Sequence, residues 1–120
     1  EVVDDEVRCK VIYTCELSNN KGINLKGGGL SAPALTDKDK ADLKAAVAMD
    51  VDYVALSFAR TAADVKQCRE LVMAEGSDAG IVTKVERAEA IDNIDEIVEA
   101  SDVIMVARGD LGVEMGDAEL

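Results

Sequence analysis

Ile81-Val82-Thr83-Lys84-Val85-Glu86 is the stretch on which the fold turns: a short run rich in β-branched residues, with one lysine inside it and a carboxylate after it. Such a run, too short for a helix, reads as a strand of a parallel sheet. Toward the C-terminus, Ile91, Ile94, Ile97 and Val98 mark a helix, and Val103-Ile104-Met105-Val106-Ala107 a further strand. Toward the N-terminus, Val65, Cys68, Leu71 and Val72 form a helical stripe, opened by Thr61 with Asp64 three residues on and stopped by Gly76. Before it, Tyr53-Val54-Ala55-Leu56-Ser57-Phe58 is a short apolar strand. Earlier still, Thr36 with Asp39 opens a helix whose stripe is Leu43, Ala46 and Val47, running to about Met49.

The order is α, β, α, β, α, β, which implies crossover connections and a parallel sheet, either doubly wound or closed as a barrel. No Gly-x-Gly-x-x-Gly follows a strand and no Gly-Lys-Ser/Thr loop occurs, which disfavours nucleotide-binding doubly wound folds. An eight-unit barrel takes about 250 residues, so this region would hold about three of its units. The chain opens on Glu1 rather than Met and stops at Asp117-Ala118-Glu119-Leu120, which reads as the start of a helix, so a piece of a longer protein is expected.

Upstream, Val7 to Leu17 mixes β-branched and polar residues as a half-exposed strand would. The cluster Ser18-Asn19-Asn20-Lys21-Gly22 is a turn, and the Gly-rich stretch from there to Pro33 reads as a crossing between two structural regions. Leu25-Lys26-Gly27-Gly28-Gly29-Leu30 does not lead directly into a helix, so it reads as a flexible crossing rather than a phosphate cradle.

Across its 120 residues the chain carries 13 Lys and Arg against 25 Asp and Glu, a formal charge of −12. That excess argues against nucleic acid or an anionic membrane as partner, because either needs a basic surface. Cys9, Cys15 and Cys68 are odd in number and lack the paired spacing of a zinc site, so reduced thiols are expected. No run approaches the roughly 18 apolar residues of a membrane span, and a soluble, cytoplasmic protein is expected.

The polar groups that stand out lie where the strands finish: Ser57 and Arg60, then Lys84 and Glu86, then Arg108 and Asp110. In parallel α/β architectures ligands bind at the carboxyl ends of the strands. Lys84 and Glu86, two residues apart on extended chain, leave on the same face roughly 6.6 Å apart along the strand. A bare Lys-x-Glu is more often an internal salt bridge or a solvated pair; at this position it would equally suit an anionic ligand and a metal. Asp110 would meet Glu86 across the mouth of the sheet, giving two hard oxygen ligands of the kind magnesium takes, with water and substrate oxygens completing its shell. Asp110 would otherwise be a helix cap in Gly109-Asp110-Leu111-Gly112, and Gly109 would let backbone N–H groups approach a carboxylate or phosphate. Histidine is absent, which excludes imidazole ligation of zinc within these residues. Arg60 and Arg108 read as structural ion-pair partners, and Asp92, Asp95, Glu96 and Glu99 as solvated helix faces.

Ile81 to Ile91 (IVTKVERAEAI) and Val103 to Glu114 (VIMVARGDLGVE) resemble the two adjacent active-site segments of the pyruvate kinase family. Asn20-Lys21-Gly22-Ile23-Asn24 is similar to that family's return from its small β domain, and Asp52 to Phe58 to its next strand. The resemblance implies that residues 1–20 end a small β lid domain and that residues 21–120 are the central part of a catalytic (β/α)8 TIM barrel. It implies phosphoryl transfer from phosphoenolpyruvate to ADP, giving pyruvate and ATP, with Mg2+ (or Mn2+) and K+ as cofactors and a homotetrameric full-length protein. Lys84 would contact the moving phosphoryl group, Glu86 and Asp110 would hold the divalent ion, and Gly109 with Asp110 would receive the substrate carboxylate. Lys21 would lie near the nucleotide phosphates, and Ser57 near the monovalent-cation pocket unless it bonds locally to backbone. An isolated piece would be inactive.

Two other readings fit parts of the pattern. A metal-dependent aldolase or lyase of the phosphoenolpyruvate/pyruvate barrel group also places Glu and Asp at successive strand ends, but lacks the lysine two residues before the glutamate. A non-catalytic α/β module would use the same acids to hold a cation.

Overall fold

The structure, a computed structural model, describes residues 1–14, 16, 18, 19 and 33–116. Two short strands, β1 (Val2–Val3) and β2 (Glu6–Val7), pair antiparallel around a turn in which Asp4 has a φ of 53°. Residues 8–14 continue without regular structure, and Val11, Ile12 and Tyr13 are exposed. The strand expected from Val7 to Leu17 is therefore not formed beyond Val7 among the described residues. A strand needs a partner for its backbone groups, and no described strand pairs with this stretch. Most of the expected turn and Gly-rich crossing lies outside the described residues.

From Thr36 onward the expected alternation is present: α1 (Asp37–Ala48), β3 (Tyr53–Leu56), α2 (Ala62–Ala74), β4 (Gly80–Val85), α3 (Ala88–Asp92), α4 (Ile94–Ala100), β5 (Val103–Val106) and α5 (Arg108–Met115). Thr36 and Asp39 form the reciprocal cap of α1, and these bonds, the side-chain one first, hold the Asp39 carboxyl below its ordinary pKa. Asp64 reaches back to the N–H groups of Arg60 and Thr61 at the start of α2. At the end of α2, Gly76 (φ 84°) lets its own N–H reach Met73 O and that of Ser77 reach Val72 O, closing the helix.

The helix expected across Ile91 to Val98 is two helices broken at Asn93. Its side-chain amide donates to Glu89 O and Arg60 O, so it satisfies a carbonyl at the end of α3 and ties that end to the β3–α2 connection. Glu96, though exposed, is not merely solvated: it accepts from Ala62 N–H and so caps the first turn of α2.

The sheet has the order β3-β4-β5 with both pairings parallel, Leu56 opposite Thr83 and Val85 opposite Val106. Leu43 of α1, Val65, Cys68 and Val72 of α2 and Ile97 of α4 join Leu56, Ile81 and Val85 in one core. Each such Val, Leu or Ile side chain contributes about 1.5–3 kcal/mol by leaving water. Along β4, Ile81, Thr83 and Val85 are buried toward the helices, while Val82 and Lys84 lie on the other face. That second face is open: its neighbours Tyr53, Val103 and Met105 are 58%, 42% and 48% exposed. Burial of both faces, expected for parallel strands, thus holds for neither β3 nor β5 among the described residues. The layer is singly covered, and among the described residues no closed barrel is seen. No helix among the described residues is long and apolar enough to cross a membrane. Cys9 and Cys68 are free thiols; burial raises the Cys68 pKa and leaves it unreactive.

Candidate functional site

Lys84 is the last residue of β4 on the open face of the sheet, and Glu86 follows where the strand ends. The Lys84 ammonium lies 2.5 Å from Oε1 of Glu86 and donates to Ser57 Oγ at 2.9 Å. The second carboxylate oxygen of Glu86 accepts the backbone N–H of Phe58 at 2.9 Å. Glu86 is 1% exposed and Lys84 25%, so the acid is enclosed while the lysine side chain still meets solvent. A buried carboxylate is costly unless paired and hydrogen-bonded, and here both oxygens are engaged.

Phe58 achieves its contact with a φ of 57°, a conformation that bulky residues rarely adopt. Such strain clusters at functional sites, where surrounding structure must hold it. Ser57 lies one residue past the Leu56–Thr83 pairing, opposite Lys84, and bonds to that side chain rather than to local backbone. Sequence reading had no signal for the Phe58 amide; the Ser57 contact was legible only once the register was known.

Gly109 and Asp110 lie directly beyond β5, in the first turn of α5, at the same end of the sheet as Glu86. Asp110 is not the helix cap that its surroundings suggested: the cap residue is Ala107, which has no side-chain cap bond, and half-buried Asp110 is three residues inside. An acid there suits the positive end of the helix. A side chain built at Gly109 would meet nothing within 4 Å, so the backbone of this turn is open to a ligand. Arg60, as expected, is structural, its Nε 3.7 Å from Asp64 Oδ2. Lys21 lies outside the described residues.

The donor set suits a hard divalent cation: carboxylate oxygens, one already fixed by a backbone N–H, with an ammonium alongside. Among the described residues no group of three or more His, Cys, Asp or Glu is gathered for an ion. An ion between Glu86 and Asp110 would therefore take most of its ligands from water and from an anionic ligand. Chemically, the site offers one held positive charge beside a fixed acid, the arrangement needed to clamp an anion against a metal.

A family profile described as "Pyruvate kinase, barrel domain" matches residues 1–120. The chain is 57% identical over 118 residues to a pyruvate kinase of Buchnera aphidicola subsp. Acyrthosiphon pisum, covering 96% of this chain and 25% of that protein. It is 62% identical over 107 residues to a pyruvate kinase of Haemophilus influenzae, covering 87% of this chain and 22% of the relative. Against pyruvate kinase II of Salmonella typhimurium it is 56% identical over 123 residues, covering 100% of this chain and 26% of the relative. The chain spans about a quarter of the length of these curated relatives.

Proposed function

Because the chain belongs to the pyruvate kinase family, we propose that it is an internal segment of a magnesium-dependent phosphotransferase that moves the phosphoryl group of phosphoenolpyruvate to ADP. The carrying observation is the Ser57–Lys84–Glu86 cluster at the carboxyl end of the parallel sheet. Lys84 neutralises the phosphoryl group in flight and the enolate left behind when its P–O bond breaks; the new P–O bond forms to the terminal phosphate of ADP. A proton then reaches the enolate carbon from outside these residues, giving pyruvate. Such transfer depends on positioning and charge neutralisation, which a preorganised ammonium supplies without reorganisation.

Glu86 and Asp110 would hold Mg2+ (or Mn2+), which when bound withdraws charge from the substrate oxygens. The N–H groups of Gly109 and Asp110 receive the substrate carboxylate, and Lys21 has the role of a cation for the nucleotide phosphates. K+ binding, a homotetramer and a cytoplasmic location belong to the same proposal, as does a lid domain ending at residue 20 with the barrel segment from 21 to 120. Two features favour a barrel wall over a doubly wound sheet: the strands run in sequential order, and α1, α2 and α4 share one core on one face. The open face carrying Val82, Lys84 and Met105 would then be the barrel interior.

The deciding experiment is a pyruvate assay on the full-length protein with phosphoenolpyruvate and Mg2+. Pyruvate formation that requires ADP and yields ATP supports the reading. Carbon–carbon cleavage of a hydroxy-keto acid without ADP would move it to the aldolase group, and cation binding with neither activity would leave a binding module.

A further inference from the structure

Arg87 and Glu114 form a buried ion pair that the proposed chemistry does not use. Arg87 Nε lies 3.7 Å from Glu114 Oε1, and both side chains are 4% exposed. The other oxygen of Glu114 accepts the Ala88 N–H at 2.9 Å, and Arg87 also reaches Glu89 Oε1 at 3.3 Å. A buried ion pair is a weak source of net stability, since the desolvation of both charges offsets their attraction. What it supplies is a fixed relation between the elements it joins.

Here those elements are the two that carry the proposed ligands. Arg87 directly follows Glu86, and Glu114 is four residues beyond Asp110 on α5, hence on the same side of that helix. Glu114 is thus ion-paired with the side chain next to Glu86 and hydrogen-bonded to the first N–H of α3. We propose that Arg87–Glu114 is a positioning pair that sets the separation and direction of the Glu86 and Asp110 carboxylates for a divalent ion; it rests on the reading of those two acids as ligands. Neither member touches ion or substrate. Without the pair, α5 can rotate or slide against the β4–α3 junction, and the relation between the two acids is no longer fixed.

The test uses the full-length protein and Mn2+ as probe, with affinity read by titration calorimetry and folding by the thermal midpoint. The double variant Arg87→Met with Glu114→Gln removes both charges, keeps the apolar stem, and leaves an oxygen for Ala88 N–H. It is expected to fold with a midpoint near that of the parent while binding Mn2+ about 10–100-fold more weakly, as loss of an outer-shell partner does. Glu114→Gln alone is a second reading of the same effect. Affinity within about twofold of the parent in a folded variant overturns the proposal, and so does failure of both variants to fold, which would make the pair a stability element. Glu86→Gln separates the two levels. Unchanged Mn2+ affinity there removes the metal reading itself, whereas lost affinity there with normal affinity in the double variant removes only the positioning role.

Discussion

The two ends of β4 use charge in opposite ways. At the amino end, Asp102 Oδ2 accepts the Ile81 N–H at 2.7 Å and an Arg69 nitrogen at 2.8 Å, while the same guanidinium donates to Ala100 O at 2.9 Å. These contacts bind strand, loop and helix to one another, and the Gly80 backbone passes close beneath the Tyr53 ring. At the carboxyl end, Lys84, Ser57 and Glu86 satisfy one another through side chains, and the Phe58 amide ties Glu86 to backbone. Contacts that end on backbone, as two of the three at the amino end do, are part of the fold and cannot be exchanged. Contacts between side chains can be, since an anion can take the ammonium and a cation the carboxylate. The difference separates a structural end from a chemical one on the same strand.

Substitutions at the two ends test that contrast, and the largest effect belongs to the chemical end. Lys84→Met in the full-length protein should cut turnover by at least ~100-fold while divalent-ion binding stays nearly intact; near-normal turnover would erase the distinction. At the structural end, Asp102→Ala removes the acceptor from the buried Ile81 N–H and should cost about 1–3 kcal/mol in denaturant unfolding, with kcat per folded molecule unchanged. A Cβ at Gly80 would come within 2.8 Å of the Tyr53 ring carbons. Gly80→Ala should therefore cost about 1 kcal/mol, because the exposed ring can swing aside, and Tyr53→Ala in the same chain should recover most of it.

The smallest effect is a pH dependence. The Ile81 N–H first, and Arg69 second, hold the Asp102 carboxyl below its ordinary value of 3.8. A depressed folded-state pKa means that the group's contribution is complete above that ordinary value and is lost as pH falls through the lower, folded one. Unfolding midpoints taken on acidification should fall less steeply in Asp102→Asn than in the parent. An unchanged slope would mean that Asp102 contributes no proton linkage.

How much of this the sequence discloses follows the range of the forces involved. Helix starts at Thr36 and Thr61, the stop at Gly76 and the three parallel strands rest on local chemistry and were legible. Asn93 was not, because its break depends on Arg60 O, which lies 33 residues away along the chain. The placing of Lys84 and Glu86 on one face follows from strand periodicity, and an ion pair between them is one of the outcomes that spacing allows. The Arg87–Glu114 contact was invisible: its partners are far apart in sequence, and burial of both charges is a property of the packed core. The strand expected past Val7 shows the converse: β-branched composition suggests a strand, but pairing needs a second chain segment.

Phe58 carries a consequence for evolvability. A left-handed aromatic residue sits about 1–3 kcal/mol above relaxed backbone, and a glycine would relieve that tension at once. The gain would loosen the amide that pins Glu86, so the more durable protein would have the less disciplined acid. Screens for heat tolerance that ignore catalysis should drift toward glycine at 58, and screens for turnover should drive it out.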